Sequence, residues 1–395
     1  MNTKKVMLVK YGEIALRKGN RSFFEHHLLD VIRKNLNHIP SVKVSREQGR
    51  FLIEDTEGDL DSNKILPLIR KIFGLAGFCN AVKTSAMDIE TLQTIGAVFF
   101  KEYAAQHGAV ESFKVITKRS NKNYPLTSNE ISAEIGGSVM DTMPGIKVDL
   151  HNPAKTLWVE LRNNVYFYVD YLPGAGGLPY GASGKGMLML SGGFDSPVAG
   201  YLAARRGVEI LPVYFHSPPF VSERAADKVR DLAAELAKFT GKIKLGIVNF
   251  SDVQVHLRDN VHPEKLTTFL KRAMLHISTA MAEKENALCI INGDSVGQVA
   301  SQTLHSIAAI DSATSLTILR PLAAMDKQEI IDIAKQIETY PISIRPFEDC
   351  CTVFVAKHPE NKPNKRVIER IEGQIMEGLA PLMQKAVDEA VYEVY

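Results

Sequence analysis

Cysteine is scarce: the 395-residue chain has four, at positions 79, 289, 350 and 351. That is too few for a disulfide framework in a chain this long, and a reducing, cytoplasmic compartment is expected. Long apolar runs are also missing. None approaches the ~20 residues that cross a bilayer, and the apolar patch in "MNTKKVMLVKYGE" is too short for a secretion signal. No membrane partner is therefore expected. There is no internal repeat, low-complexity tract or heptad run. Two common nucleotide-loop patterns fail as well. The dinucleotide fingerprint G-x-G-x-x-G does not occur. "GASGKG" at 181–186 only imitates the Walker loop, because Pro179 stands where its first glycine belongs and Gly186 replaces its Ser/Thr.

What is present begins at Met187, with "MLMLSGGFDSPVAGYLAARRG". Residues 187–190 are continuously apolar, as in a strand buried on both faces of a parallel sheet. Ser191-Gly192-Gly193 follows, then Phe194-Asp195-Ser196-Pro197 and a helical stripe ending at Gly207. The spacing predicts Ser196 as helix N-cap, Pro197 as the first helical residue and Gly207 near the C-cap. Adjacent glycines let a ligand touch the backbone. A helix N-terminus with free N–H groups attracts anions, and the Ser191 and Ser196 hydroxyls add donors. The junction reads as a phosphate-binding loop.

The net charge of +2 conceals an asymmetry. Residues 1–50 carry eleven Lys/Arg and four Asp/Glu, and residues 1–175 carry 23 and 19, which leaves 24 and 26 for the remainder. The basic excess lies away from the phosphate loop, so a polyanionic partner is expected for the N-terminal part.

Periodicity divides the chain into three blocks. In residues 1–60, "VMLVKYGEIAL" reads as a strand. Phe24, Leu28, Val31, Ile32 and Leu36 share a helical face, and "VKVSREQGRFLIED" reads as two strands about Gln48-Gly49. This is a small α+β layer. In residues 61–172, helices are expected over 65–73, 91–107 and 128–143. "FKVITKRSNKNYP" reads as a strand entering a basic loop with Lys114, Lys118, Arg119 and Lys122, and "TLWVELRNNVYFYVDYL" as a hairpin about Asn163-Asn164. The Gly/Pro-rich "PGAGGLPYGASGKG" marks the boundary. Residues 173–395 then alternate strands (near 187–190, 209–215, 243–250, 288–292) with helices (near 197–206, 222–240, 265–286, 326–338). The last helix opens on a capping box at Asp326 and Glu329. "LAPLMQKAVDEAVYEVY" reads as a closing helix. The third block is thus a doubly wound parallel-sheet domain, with ligands expected at the carboxyl ends of its strands.

The S-G-G-x-D-S loop resembles that of the ATP-pyrophosphatase (PP-loop) superfamily. Taken in order, "VKYGEIALRKGNRSFFE", "TKRSNKNYP", "LSGGFDSPVAG", "VYFHSPPFVSERA", "NGDSVGQVASQT" and "EDCCTVFVAKHP" are together similar to the tRNA 4-thiouridine synthetases, or tRNA sulfurtransferases. The resemblance implies an N-terminal ferredoxin-like domain, a THUMP RNA-binding domain and a PP-loop catalytic domain. It implies conversion of the uridine at tRNA position 8 to 4-thiouridine through an adenylated base, with ATP and Mg²⁺ as cofactors and tRNA as partner. Longer members continue into a rhodanese-like domain, which this sequence lacks. A separate cysteine desulfurase or other persulfide donor is then expected, and the family's second role, sulfur supply for the thiamine thiazole, is less secure. A homodimer is a candidate assembly.

By resemblance, Ser191, Gly192, Gly193, Asp195 and Ser196 hold pyrophosphate, with Asp195 ordering the loop or contacting Mg²⁺. Met189, Leu190, Tyr214 and Phe215 line the adenosine site. Lys271 or Arg272, Gly293 and Gln302 match nucleotide-contacting positions, and Asp294 is a second acidic candidate. Cys79 and Cys289 read as core. Adjacent Cys350 and Cys351 do not have zinc spacing; one of them resembles the family's catalytic cysteine, with Cys351 favoured. Lys357 and His358 lie near enough in sequence to help ionise a thiol. Two rivals are a PP-loop ligase acting on a small molecule and an RNA-binding protein with an inactive nucleotide domain. The basic N-terminal part argues against the first, and the intact loop against the second.

Overall fold

The computed structural model describes all residues except 1, 17–18, 48, 121, 348–352, 355 and 357–358. The chain forms two compact units, residues 1–177 and 178–395. No described helix is long and apolar enough to cross a membrane.

The first unit runs β1 (Thr3–Tyr11), α1 (Arg21–Leu36), β2 (Val42–Glu47), β3 (Arg50–Asp55), α2 (Ser62–Ile69), β4 (Leu75–Thr84), α3 (Ile89–His107), β5 (Ser112–Arg119), α4 (Ser128–Thr142), β6 (Lys147–Val148), β7 (Lys155–Leu161), β8 (Val165–Tyr168) and β9 (Leu172–Pro173). The two blocks read from the sequence share one sheet, ordered β2-β3-β1-β4-β8-β7-β5-β6, with β9 also on β4. β1 joins them by pairing antiparallel with both β3 and β4. α2 starts at Ser62, earlier than the apolar spacing suggests, because Asp61 caps it by accepting from the Asn63 N–H.

The alternation along these strands separates two apolar sets. On one face Phe113, Leu157, Val159, Val165 and Phe167 pack with Phe100 of α3 and Ile131 and Ile135 of α4. On the other, Val6, Leu8, Leu52, Cys79, Ala81, Tyr166 and Tyr168 form their own cluster. Arg50 of β3 donates to Glu160 of β7 at 2.7 Å, although three strands lie between them. A flat sheet would separate them by ~19 Å, so the sheet must coil, and its concave side encloses the second cluster. The Tyr166 hydroxyl also donates to Glu47, closing the roll at the β2–β3 end. Within it, Glu160 accepts from Tyr168 (2.6 Å) and Arg162 (3.2 Å) as well.

The second unit runs β10 (Lys185–Met189), α5 (Asp195–Arg205), β11 (Glu209–His216), α6 (Glu223–Thr240), β12 (Lys244–Asn249), α7 (Ser251–Asn260), α8 (Pro263–Lys284), β13 (Cys289–Ile291), α9 (Leu304–Asp311), β14 (Thr317–Leu319), α10 (Lys327–Gln336), α11 (Tyr340–Ser343), α12 (Lys365–Asp388) and β15 (Val391–Val394). Its sheet is ordered β14-β13-β10-β11-β12-β15. The ladders from β14 to β12 are parallel. The expected closing helix is corrected here. α12 stops at Asp388, and residues 391–394 pair antiparallel with β12. The β-branched and aromatic residues Val391, Tyr392 and Val394 suit an edge strand better than another helical turn. The chain runs outward from β10 through β11 and β12, then returns to β13 on β10's other side. The topological switch point, where open α/β sheets bind ligands, therefore lies between β10 and β13.

Candidate active site

The loop 190–194 leaves β10 at this switch point, and α5 opens at Asp195. The expected cap is corrected. Phe194 flanks the helix without a side-chain cap, and Ser196 lies inside the first turn. Its Oγ accepts from the Ser191 N–H at 2.8 Å and lies 3.0 Å from Ser191 Oγ. The two serines thus bind the loop to itself and hold its shape. Gly293, just past β13, sits against this turn. A Cβ there would lie 2.8 Å from both Asp195 C and Ser196 N, so only glycine lets the two backbones meet.

Above this contact lies a cavity of about 270 Å³. Met189, Leu190, Ser191, Asp195, Ser196, Tyr214, Phe215, Lys271, Gly293, Asp294 and Gln302 line it, with Asn292, Met274, Leu275 and Ile310. Most of the nucleotide positions expected from the sequence thus converge from β10, α5, β11, α8 and the segment after β13. Gly192 and Gly193 form the turn beside them, and a Cβ on Gly193 would meet nothing nearer than Ser191 Oγ at 3.7 Å. Arg272 is the exception. It is 2 % exposed and points away, donating to Glu372 of α12 (2.9 and 2.5 Å), Ser312 (2.7 Å) and the Ala309 carbonyl. One residue turns a helical side chain by ~100°, which sends Lys271 into the cavity and Arg272 into the α8–α9–α12 packing.

Two carboxylates border the cavity and behave oppositely. Asp195 has one oxygen buried with no hydrogen-bond partner among the described residues, and the other accepts weakly from Gln298 at 3.4 Å. Burial raises its carboxyl above the ordinary range, against the Gln298 bond and nearby Lys327. Asp294 accepts from Lys271 (3.1 Å), Gln302 (3.1 Å) and Asn292 (2.9 Å), with Arg320 Nε at 3.7 Å. Burial would raise it too, but Lys271, Arg320 and Gln302 outweigh that and hold it below its ordinary value.

Asn292, Gln298, Arg320 and Lys327 were not singled out from the sequence. Lys327 had a signal: it stands in the first turn of α10, where a cation opposes the helix dipole. Its ammonium lies 5.9 Å from the Phe194 ring centre. Cys79 and Cys289 are buried as expected, and burial pushes the Cys79 thiol up to about 11. Cys350, Cys351, Lys357 and His358 lie outside the described residues. Among the described residues no group of three His, Cys, Asp or Glu is arranged to hold a metal.

In the first unit the four basic candidates divide. Lys114 and Lys118 share one face of β5. Lys118 lies 4.9 Å from the Trp158 ring centre, and that ring stacks on Tyr168 at 6.3 Å. Lys122 is exposed. Arg119 instead donates to the carbonyls of Lys122 (3.3 Å), Tyr124 (3.0 Å) and Leu126 (2.9 Å), tying the loop together.

Comparison with known proteins places the chain in a family. Residues 6–79 match the ThiI ferredoxin-like domain, 88–170 the THUMP domain and 181–376 the family described as thiamine biosynthesis protein (ThiI). The chain is 44% identical to a probable tRNA sulfurtransferase of Lachnoclostridium phytofermentans over 97% of each chain. It is 42% identical to one of Agathobacter rectalis, also over 97% of each. Among solved structures it is similar to a 4-thiouridine synthetase crystallised in complex with RNA and with bound ATP, with a TM-score of 0.89, 37% identity and 99% of each chain covered. With identity at this level over nearly its whole length, the chain belongs to the tRNA sulfurtransferase family.

Proposed function

We propose that this protein uses ATP to activate a tRNA uridine and replaces its O4 with sulfur, giving 4-thiouridine at position 8. The observation that carries the reading is the switch-point cavity, where a glycine turn, a helix N-terminus and Lys271 converge. The similar 4-thiouridine synthetase, with RNA and ATP bound, supports the same substrates.

Uracil O4 is a poor leaving group. In this reading O4 attacks the α-phosphorus of ATP, the bond to pyrophosphate breaks, and loss of the N3 proton leaves a neutral adenylated base. Backbone N–H groups at the start of α5 receive the departing pyrophosphate, fixed in place before the reaction. The serine pair keeps that turn rigid. The buried, unpartnered oxygen of Asp195 fits a Mg²⁺ ion, which commonly takes one or two carboxylates plus substrate phosphates. Asp195 would hold it, and it would supply neutralisation of the phosphate charge.

Sulfur transfer then needs a thiolate. The outer sulfur of a Cys351 persulfide attacks C4, and the C4–O bond breaks to release AMP. The Cys350 thiolate next attacks the inner sulfur, and the S–S bond breaks. This frees 4-thiouridine and leaves a Cys350–Cys351 disulfide for a thiol reductant to reopen. A cysteine desulfurase or similar donor recharges the persulfide. The described residues on either side of this segment support the reading. Lys228 of α6 donates to the carbonyls of Arg345 (3.0 Å) and Phe347 (3.4 Å). Phe354 meets Phe220, just beyond the carboxyl end of β11, with ring centres 5.1 Å apart. Residues 1–172 supply most of the tRNA affinity, with Lys118 and Lys122 among the phosphate contacts.

Labelled ATP with and without tRNA tests this reading. The expected result is pyrophosphate release that requires tRNA, and AMP with thiolated nucleoside once a desulfurase and cysteine are added. Cys351→Ser should keep pyrophosphate release, since it still forms the adenylate, and lose thiolation. Pyrophosphate release without tRNA would indicate a small-molecule ligase, and no release in either case an RNA-binding protein.

A further inference from the structure

Gln302 lines the cavity with an amide whose two ends are in different positions. Its Nε2 donates to Asp294 Oδ1 at 3.1 Å. Its Oε1 is buried with no hydrogen-bond partner among the described residues. The two ends of an amide have the same shape, so partner chemistry must set which end points where. Asp294 sets it. An ionised carboxylate only accepts, and Oδ1 already receives the Lys271 ammonium at 3.1 Å. Oδ2 receives Asn292 Nδ2 at 2.9 Å. Turning the Gln302 amide over would press oxygen against oxygen. The backbone leaves it little room to withdraw, since Gly297 N–H donates to the Gln302 carbonyl and Gln302 N–H to the Val299 carbonyl, both at 2.9 Å.

A buried acceptor without a donor is costly, and native proteins keep few of them. Here the vacant acceptor belongs to a residue lining the cavity read as the ATP site. We propose that Asp294 is a positioning residue that locks Gln302 with its oxygen available, so that Gln302 accepts a hydrogen bond from the bound nucleotide and helps select it. The inference rests on the ATP reading and adds a specificity element to it. The recognised group is an N–H or O–H donor. ATP offers two kinds, the adenine 6-amino group and the ribose hydroxyls; GTP carries an oxygen at position 6. The role also explains a carboxylate at the rim of an anion site: its charge is taken up by Lys271 and Arg320, and its geometry is used to hold Gln302.

Calorimetric titration of the full chain tests this with ATP, purine riboside triphosphate (no 6-amino group), 2′-deoxy-ATP and 3′-deoxy-ATP. The parent protein should bind one of these analogues about 10- to 100-fold more weakly than ATP, and which one identifies the donor. Gln302→Leu and Asp294→Asn should bring that ratio to about 1. A purely structural role would weaken all four nucleotides by a common factor and keep the ratio, which would overturn the proposal. So would a parent protein that binds all four equally, a result that needs no variant to fold. A parent that binds no ATP would overturn the nucleotide reading and this inference with it, whereas ATP binding with a flat analogue series overturns the inference alone.

Discussion

Glu160 in the first unit and Asp294 in the second are both buried carboxylates beside cations, 5 % and 9 % exposed. Glu160 sits inside the coiled sheet and accepts from Arg50, Tyr168 and Arg162, all groups of the fold itself. Asp294 borders a cavity, and its three donors, Lys271, Asn292 and Gln302, line that cavity with it. The same chemistry closes a core in one place and arranges a binding surface in the other. What differs is whether the partners have somewhere else to point. Removing a partner should therefore cost stability in the first unit and ligand selectivity in the second.

The largest effect should come from breaking the closed pair. Arg50→Met leaves Glu160 buried beside fewer cations and should lower stability by about 3–5 kcal/mol. Adding Glu160→Leu should restore much of it. Urea denaturation of both variants measures this, and a single variant as stable as the parent would show that the pair does not hold the coil. Next, Gly293→Ala forces a Cβ against the start of α5. Displacing the phosphate loop by about 1 Å should cost on the order of 10²-fold in tRNA-dependent AMP release, with RNA affinity unchanged. An active Gly293→Ala would show that the backbones separate cheaply.

A third comparison concerns pH. Burial would raise Glu372, but His276 and Arg272 pull it down to about 2. A depressed carboxyl stabilises the fold above its unfolded value, and that contribution is lost as pH falls through the folded value. Stability should therefore decline between about pH 4.5 and pH 2, and less steeply in Glu372→Gln. Asp195 has the opposite sign. Its raised carboxyl favours the fold at low pH, and that contribution is lost as pH rises through the folded value. Asp195→Asn should be more stable than the parent at pH 7 and lose that advantage in acid, while its AMP release fails. Melting curves across pH check both, and an Asp195→Asn protein less stable at pH 7 would contradict the desolvation account.

The smallest effect should be at the basic loop. Lys118→Glu should weaken tRNA binding and flatten its salt dependence by roughly one phosphate contact or slightly more. Arg119→Lys should act through loop order, since a lysine cannot satisfy three carbonyls in the same plane. Equal salt slopes for Lys118→Glu and the parent would remove Lys118 from the footprint.

Much of this was legible in the residue order. Periodicity located β10, β11, β12 and β13, because strands buried on both faces are continuously apolar, and it located the Asn163-Asn164 hairpin through its alternation. The loop before α5 was legible because its conformation depends on local residue types, two glycines before a helix. Pairings between distant segments were not legible. Nothing local shows that Arg50 meets Glu160 across three strands, because that contact depends on how far the sheet coils. Nothing local separates Lys271 from Arg272, since both are long cations and only the packing of α9 and α12 decides which is buried. The last strand was not legible because "AVYEVY" directly follows a long helical stretch, and the free edge of β12 decided it. The sequence by itself determined the elements and the glycine loop that precedes α5, through forces acting over a few residues. Only the tertiary structure decided which charged side chains face a ligand and which close a core, because burial and partner distance exist only once the chain has folded.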